Sequence, residues 1–312
     1  MNTRKGSKSI ALALCVQVII LLGLVSCHSP TLGDIPDTEI VYVASEGKPG
    51  HDYLDYLGFV NADGSGLGTQ EMGGYIRYPA WYQDTVFFRE GMGAQASKLS
   101  AWTSGKPKLT CKMEAQYPVN SIGGQLLQEY TGLIINQNGF RIVLYDVDQC
   151  EVKKIYVEVP EIVGHIDNWL LGASLSPDKR SLLYTYQTGQ GCDADYSIRK
   201  MDLETGNTVE IGKGQYPVWS PDGEKIAFFG LDGIDVMNAD GSQRQNLLLL
   251  FDTKNSSCPS VLRLSWSPDG KYIAYNRYED AKARPNLYLL EIATGKEELI
   301  ATGAMDPFWR QK

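Results

Sequence analysis

The strongest constraint in this chain is a stretch of sequence that occurs twice. Pro217-Val218-Trp219-Ser220-Pro221-Asp222-Gly223-Glu224-Lys225-Ile226-Ala227-Phe228 returns as Leu264-Ser265-Trp266-Ser267-Pro268-Asp269-Gly270-Lys271-Tyr272-Ile273-Ala274-Tyr275, displaced by 47 residues. A degraded copy stands upstream at Leu175-Ser176-Pro177-Asp178-Lys179-Arg180, with Leu175 in the Trp position. Weaker marks are Tyr78-Pro79-Ala80-Trp81, Tyr117-Pro118-Val119-Asn120 and the closing Asp306-Pro307-Phe308-Trp309. The Trp-equivalent positions are therefore 81, 120, 175, 219, 266 and 309, spaced by 39, 55, 44, 47 and 43 residues. Such a period marks a supersecondary unit that buries its apolar face only by packing against its neighbours.

The unit reads as strands and tight turns. The Trp ends a short inner strand, where a large flat side chain fills the wedge between adjacent sheets. Ser-Pro-Asp-Gly then turns the chain: Pro fixes φ, Asp bonds the local backbone and Gly takes the left-handed position. Ile-Ala-Phe or Ile-Ala-Tyr opens the next strand. A second turn follows at Asn61-Ala62-Asp63-Gly64, Asp202-Leu203-Glu204-Thr205-Gly206, Asn238-Ala239-Asp240-Gly241 and Glu291-Ile292-Ala293-Thr294-Gly295. Four strands in about 45 residues is the arithmetic of a β-propeller blade. Composition agrees: 32 Gly, 18 Tyr and 6 Trp suit many short strands better than a helical bundle. With 43% hydrophobic and 21% charged residues the chain is globular rather than disordered. A formal charge of −8 opposes nucleic-acid binding, which needs a basic face.

These motifs resemble the WD40-like PD40 repeats of the TolB propeller family over roughly residues 38–310, most strongly from 173 onward. The resemblance implies an all-β, six-bladed β-propeller of four-stranded blades, and the six marks give the same number. Trp309 closes the chain just after an inner strand begins, and Glu39-Ile40-Val41-Tyr42-Val43 opens the domain without an inner strand before it. The ring is thus expected to close by pairing the N- and C-terminal strands, which removes sheet edges. TolB carries an α/β domain ahead of its propeller, whereas only about ten tether residues precede the strands here, so its role in the Tol–Pal system does not carry over.

The N-terminus resembles a bacterial lipoprotein signal peptide. Arg4, Lys5 and Lys8 precede an apolar run from Ile10 to Val25 that ends in Leu24-Val25-Ser26-Cys27, a lipobox with Cys at +1. The resemblance implies cleavage after residue 26, lipid attachment at Cys27, a tether over 27–37 and a propeller over 38–312. A transmembrane anchor is the competing reading, but the run falls short of the roughly 20 residues a bilayer requires. An ordinary secretory signal with an incidental Cys27 is another. Removing residues 1–26 takes the formal charge from −8 to about −11. The expected partner at this end is the lipid bilayer, entered by the acyl chains. His28, in place of an inner-membrane retention Asp, implies the outer membrane in a Gram-negative cell.

Four cysteines remain: Cys111, Cys150, Cys192 and Cys258. They stand as free buried thiols or, in an oxidising compartment, as disulfides with three connectivities. In a propeller the long loops around Gln187–Asp195 and Asp252–Ser260 share a face, so a Cys192–Cys258 bridge is expected. No Cys-x-x-Cys pair suggests zinc, and no cofactor or metal is expected.

Signals for catalysis are sparse. Gly172-Ala173-Ser174-Leu175-Ser176 fails the last position of a nucleophile elbow. His51 and His165 are isolated, and Asp193-Ala194-Asp195 lacks the ligand spacing of a calcium loop. Gly64-Ser65-Gly66-Leu67-Gly68 reads as a hairpin end. Tyr53, Tyr56 and Phe59, and Tyr75, Tyr78, Trp81 and Tyr82, either line a binding mouth or pack between blades, the latter suiting their places in the repeat. The expectation is a membrane-anchored envelope lipoprotein that binds a protein or peptide through its loops and channel mouth and is not an enzyme. The alternatives are a small-molecule or glycan sensor and an unrecognised propeller hydrolase or lyase.

Overall fold

The structure, a computed structural model, describes residues 39–46, 54–91, 98–103, 109–113, 119–125, 132–137, 139–159, 168–189, 194–250, 263–278 and 284–311. Cys27, His28, His51, Tyr53, Tyr117, His165, Cys192, Asp193 and Cys258 lie outside these, as do the signal peptide and the tether.

The chain forms β1 (Ile40–Glu46), β2 (Leu54–Val60) and β3 (Gly68–Gly74), then β4 (Ile76–Tyr82), β5 (Thr85–Glu90), β6 (Lys98–Thr103) and β7 (Leu109–Lys112). A third group is β8 (Val119–Gln125), β9 (Gly132–Gln137), β10 (Arg141–Asp146) and β11 (Glu151–Glu158). A fourth is β12 (Asn168–Leu175), β13 (Ser181–Thr188), β14 (Asp195–Asp202) and β15 (Thr208–Lys213). The fifth is β16 (Gln215–Trp219), β17 (Lys225–Phe229), β18 (Gly233–Asn238) and β19 (Gln245–Leu249). Last come β20 (Leu264–Trp266), β21 (Tyr272–Arg277), β22 (Asn286–Glu291), β23 (Glu297–Ala301) and β24 (Ala304–Trp309).

These strands make six antiparallel sheets of four, each in sequence order except that β24 lies beside β1 and completes the first blade. The innermost strands β4, β8, β12, β16, β20 and β24 touch one another in succession, and β24 touches β4. The ring is closed. β24 pairs with β1 from Ile40↔Trp309 to Ala44↔Ala304, so the free edge of β1 is covered by the last strand of the chain.

Six apolar clusters fill the wedges between neighbouring blades, and the repeat Trp residues sit in them. Trp81 packs with Val41, Leu57 and Phe59 of the first blade. Trp219 joins Leu183 and Ile198 of the fourth. Trp266 meets Ala227 and Ile234 of the fifth, and Trp309 meets Ala274 and Leu287 of the sixth. Middle strands such as β9 and β10 are buried along almost their whole length, while outermost β11 (EVKKIYVE) is largely exposed, which accounts for its polar sequence.

The Ser-Pro-Asp-Gly turns share one hydrogen-bond pattern. Ser220 Oγ donates to Asp222 Oδ1 at 2.5 Å, the Glu224 N–H reaches the same oxygen at 2.9 Å, and the Lys225 N–H donates back to Ser220 Oγ at 2.9 Å. Ser267 and Asp269 repeat this, as do Ser176 and Asp178. Gly223 and Gly270 adopt φ of 75° and 71°, and in the degraded copy Lys179 takes φ 62°. The four second turns likewise join the third and fourth strands of their blades, and Asn61–Gly64 is indeed a hairpin end.

A disulfide joins Cys111 on β7 to Cys150 in the β10–β11 turn, Cα to Cα 5.3 Å, and so fastens the second blade to the third. Of the three connectivities open to the four cysteines, this one leaves Cys192 and Cys258 as the remaining pair, both outside the described residues.

Candidate functional site

Several inner strands shift register where the repeat approaches its Trp-equivalent. The pairing of β4 with β5 shifts register between Arg77 and Ala80, that of β12 with β13 between Leu171 and Ser174, and that of β16 with β17 between Gln215 and Val218. At the centre of these shifts the residue three before the Trp-equivalent is left-handed: Tyr78 (φ 56°), Gly172 (φ 64°), Tyr216 (φ 52°) and Asp306 (φ 54°). Three of the four are not glycine, and Tyr78, Tyr216 and Asp306 each precede a proline. A non-glycine residue held there costs on the order of 1–3 kcal/mol and persists only where surrounding structure fixes it. Arg263 holds the same position in the sixth blade, immediately before β20.

Two of these side chains reach across blade boundaries. Arg263 reaches past the inner strand of the first blade: its guanidinium lies 4.8 Å over the Phe308 ring, and Nη1 donates to the Pro79 carbonyl on β4 at 2.8 Å. Asp306 is 2% exposed, and its Oδ2 accepts the Tyr78 N–H at 3.3 Å. Tyr216 leans on the fourth blade, where its Cα and Cδ1 lie 3.4 and 3.5 Å from the place a Cβ on Gly172 would occupy. Glycine there answers to its left-handed φ of 64°, since a Cβ would meet the ring only at ordinary contact distance. Tyr78 and Tyr216 belong to the second and fifth blades, opposite each other in the ring.

Neighbouring groups brace the cluster. Arg77 Nη1 donates to Asp55 Oδ2 at 2.8 Å and lies 4.1 Å over the Tyr75 ring, while the Ile76 N–H donates to the same carboxylate at 3.2 Å. The Asp306 N–H donates to Asn276 Oδ1 at 3.3 Å, and the buried Asn276 Nδ2 has no protein partner. Buried polar side chains perform the same docking elsewhere: Asn136 Nδ2 donates to the Leu170 carbonyl at 2.9 Å and Thr185 Oγ1 to the Gly214 carbonyl at 3.2 Å.

Burial governs the protonation of this site. It raises the Asp306 carboxyl above the ordinary range against the pull of Arg263, Arg77 and the Tyr78 N–H. It lowers Arg263 to about 10 despite Asp306, so the guanidinium stays charged at neutral pH. Burial, helped by Asp306, pushes the Tyr78 phenol up to about 12, and burial pushes Tyr216 higher still. Both phenols therefore remain O–H donors. The chemistry on offer is hydrogen-bond donation and charge recognition.

Loops from second to third strands, and from one blade to the next, emerge at the end where the inner strands begin, so Tyr78, Tyr216, Arg263 and Asp306 lie towards that face. The aromatic runs of the sequence divide. Phe59 and Trp81 pack between blades with ring centroids 5.8 Å apart, whereas the Tyr78 N–H is bonded to the Asp306 carboxylate. Asp195 accepts from Lys213 Nζ at 2.7 Å on the surface. Among the described residues no three His, Cys, Asp or Glu side chains gather in metal-binding array. The channel cluster itself was missed in the sequence. Its signal is the residue three before each Trp, where Tyr, Gly, Tyr, Arg and Asp share a place but no chemistry.

No protein-family model matches the chain, and no curated protein matches it by sequence. Solved structures do match. TolB from Acinetobacter baumannii superposes with a TM-score of 0.66 at 17% identity, covering 89% of this chain and 68% of that one. A chain of a nidogen/laminin complex gives 0.63 at 11% identity, covering 88% of this chain and 99% of that one. An oligogalacturonate lyase in complex with manganese gives 0.51 at 13%, covering 84% and 73%. At such identities the likeness is one of architecture, and with the closed ring of six four-stranded sheets it makes this chain a TolB-like six-bladed β-propeller.

Proposed function

We propose that this protein is a bacterial envelope lipoprotein, held to the membrane through Cys27, whose propeller binds a protein or peptide partner at its channel mouth and surrounding loops without chemistry of its own. The carrying observation is the cluster of Tyr78, Tyr216, Arg263 and Asp306, drawn from four blades, three of them held by left-handed backbone and Arg263 by its bond to the Pro79 carbonyl. Strain of this kind at Tyr78, Tyr216 and Asp306 is what preorganised recognition calls for. The Cys111–Cys150 bridge supports export, because stable disulfides belong to oxidising compartments. A partner protein is in keeping with the nidogen/laminin complex among the structures of like fold.

A small-molecule or glycan ligand is the second reading, favoured by the two tyrosines, Tyr78 and Tyr216, carried on inner strands β4 and β16. The test is capture from detergent-solubilised envelope by the tagged full chain. One protein retained by the wild type and lost with Tyr216→Ala supports the proposal. Partner-free protein that is shifted in melting temperature by a sugar, or that turns over a lyase or hydrolase substrate, contradicts it. Anchoring is read separately: Cys27→Ala is expected to move the protein out of the membrane fraction, and retention there refutes the lipid anchor.

A further inference from the structure

Six strands form the rim of the propeller, one at the outer end of each sheet: β3, β7, β11, β15, β19 and β23. An outermost strand leaves a row of N–H and C=O groups open to pairing, and charged side chains are a usual guard against it. Five of the six carry such a guard: Glu71 on β3, Lys112 on β7, Lys153 and Lys154 on β11, Glu210 and Lys213 on β15, and Glu297 and Glu298 on β23. β19, Gln-Asn-Leu-Leu-Leu, has none. Its last residue, Leu249, is 72% exposed, and Leu231 in the β17–β18 loop is 79% exposed, the two highest values among the large apolar side chains described.

The two leucines belong to one corner of the fifth blade. Leu249 pairs with Gly233, and the Leu250 N–H donates to the Asp232 carbonyl at 2.9 Å, so the residues that follow the two leucines are bonded to each other. Gly233 permits the approach, because a Cβ there would lie 1.9 Å from the Leu248 carbonyl oxygen. The Leu248 carbonyl and the Leu250 N–H thus face β18, and by the alternation of an antiparallel ladder Leu249 turns its own N–H and C=O outward. Among the described residues no strand lies beyond β19. The turn at Gly295 in the sixth blade comes against Leu247, where a Cβ would lie 3.4 Å from the carbonyl oxygen. The open part of β19 is therefore its Leu249 end, on the face towards which Tyr78 and Tyr216 lie. We propose that this corner docks an extended, uncharged segment of the protein partner, which adds beside β19 through backbone hydrogen bonds to Leu249 and lays apolar side chains against Leu231 and Leu249. A second copy fits less well: a corner this small falls short of the roughly 1,000 Å² of a specific interface between folded proteins, and each copy carries a formal −8. The inference rests on the partner-binding reading above and adds the contact by which the partner is held.

The experiment uses the immobilised full chain and three pools of acetylated, amidated heptapeptides, with captured peptides read by mass spectrometry. The first pool randomises Val, Ile, Leu, Thr and Gln. The second is the same with a methyl group on every backbone nitrogen, which removes the donors of both strand edges, and the third sets Lys or Glu at alternate positions. The first pool is expected to be enriched at least tenfold over each of the others, and the enrichment to persist at high salt. Leu249→Lys, which puts a charge on the open edge, is expected to abolish it, and Leu231→Ser to reduce it about fivefold through lost apolar contact. Val209→Lys, a like change at an exposed position of the guarded strand β15, is expected to leave it unchanged. If circular dichroism shows that Leu249→Lys does not fold, Leu231→Ser decides. Equal capture of the first two pools overturns strand addition. Preference for the charged pool, or loss of capture with Val209→Lys, overturns the corner as the site. Capture of no pool, while an envelope partner is still retained, overturns the inference alone; with no envelope partner retained either, both readings fall. A wild-type dimer in sedimentation equilibrium that Leu249→Lys converts to monomer gives the edge to a second copy and overturns the partner segment.

Discussion

Lys179 stands where the two intact turns have glycine, and it keeps their left-handed backbone at φ 62°. A side chain with a Cβ pays about 1–2 kcal/mol to sit there, partly offset by the greater freedom glycine has in the unfolded chain. Lys179→Gly is therefore expected to stabilise the protein by up to about 1 kcal/mol, measured by urea unfolding; a destabilisation would show that Lys179 contributes more than its turn geometry. The repeat Trp residues make a second test. Trp219 is buried between the fourth and fifth blades, and its indole N–H has no hydrogen-bond partner, whereas Trp266 Nε1 donates to the Val218 carbonyl at 3.3 Å. Trp219→Ala is expected to cost about 3–5 kcal/mol. Trp219→Phe keeps most of the ring volume and loses no bond, so its cost is expected to stay under about 2 kcal/mol, and to be smaller than that of Trp266→Phe. Equal costs for the two Phe variants would separate the packing role from the hydrogen bond in neither and refute this assignment.

The elements most legible in the sequence were those whose turns are chemical. Ser-Pro-Asp-Gly announced the first hairpin of a blade and Asn-Ala-Asp-Gly or Thr-Gly the second, because each turn position demands a particular backbone angle or side-chain acceptor. The bends in the inner strands also demand a left-handed backbone angle, but meet it mostly with residues that seldom adopt one. Their shared feature is a register shift in the inner strand, which Tyr78, Gly172, Tyr216 and Asp306 reach with unrelated side chains, so the site was hidden while the fold was plain. The disulfide was only half legible, since four cysteines permit three pairings and the choice depends on which turns meet across a blade boundary. Cys111 and Cys150 meet there, 39 residues apart in sequence. Cys111→Ser with Cys150→Ser is expected to cost about 2–4 kcal/mol and to lower the melting temperature by several degrees. If Cys192 and Cys258 form the second bridge proposed for them, that double variant remains sensitive to reductant, and adding Cys192→Ser and Cys258→Ser removes the sensitivity. A double variant indifferent to reductant rules out the second bridge.

At the scale of the whole molecule, ring closure is what assembles the candidate site. The β24–β1 pairing shuts the ring, six apolar wedges hold the blades apart at fixed angles, and the inner strands bring residues distant in sequence to one channel. Arg263 and Pro79 touch because the ring is closed. One end of the channel carries the charged and phenolic cluster, and the other carries the repeated turns. The central claim is that partners are met at the first end. It is tested most directly by placing a photoreactive amino acid at Leu231, exposed in the β17–β18 loop on the cluster's face, or at Thr205, exposed in the β14–β15 turn on the opposite face, and irradiating intact cells. A single defined adduct from position 231 and none from position 205 is the outcome expected; an adduct from position 205 alone, or the same adducts from both, would contradict the account.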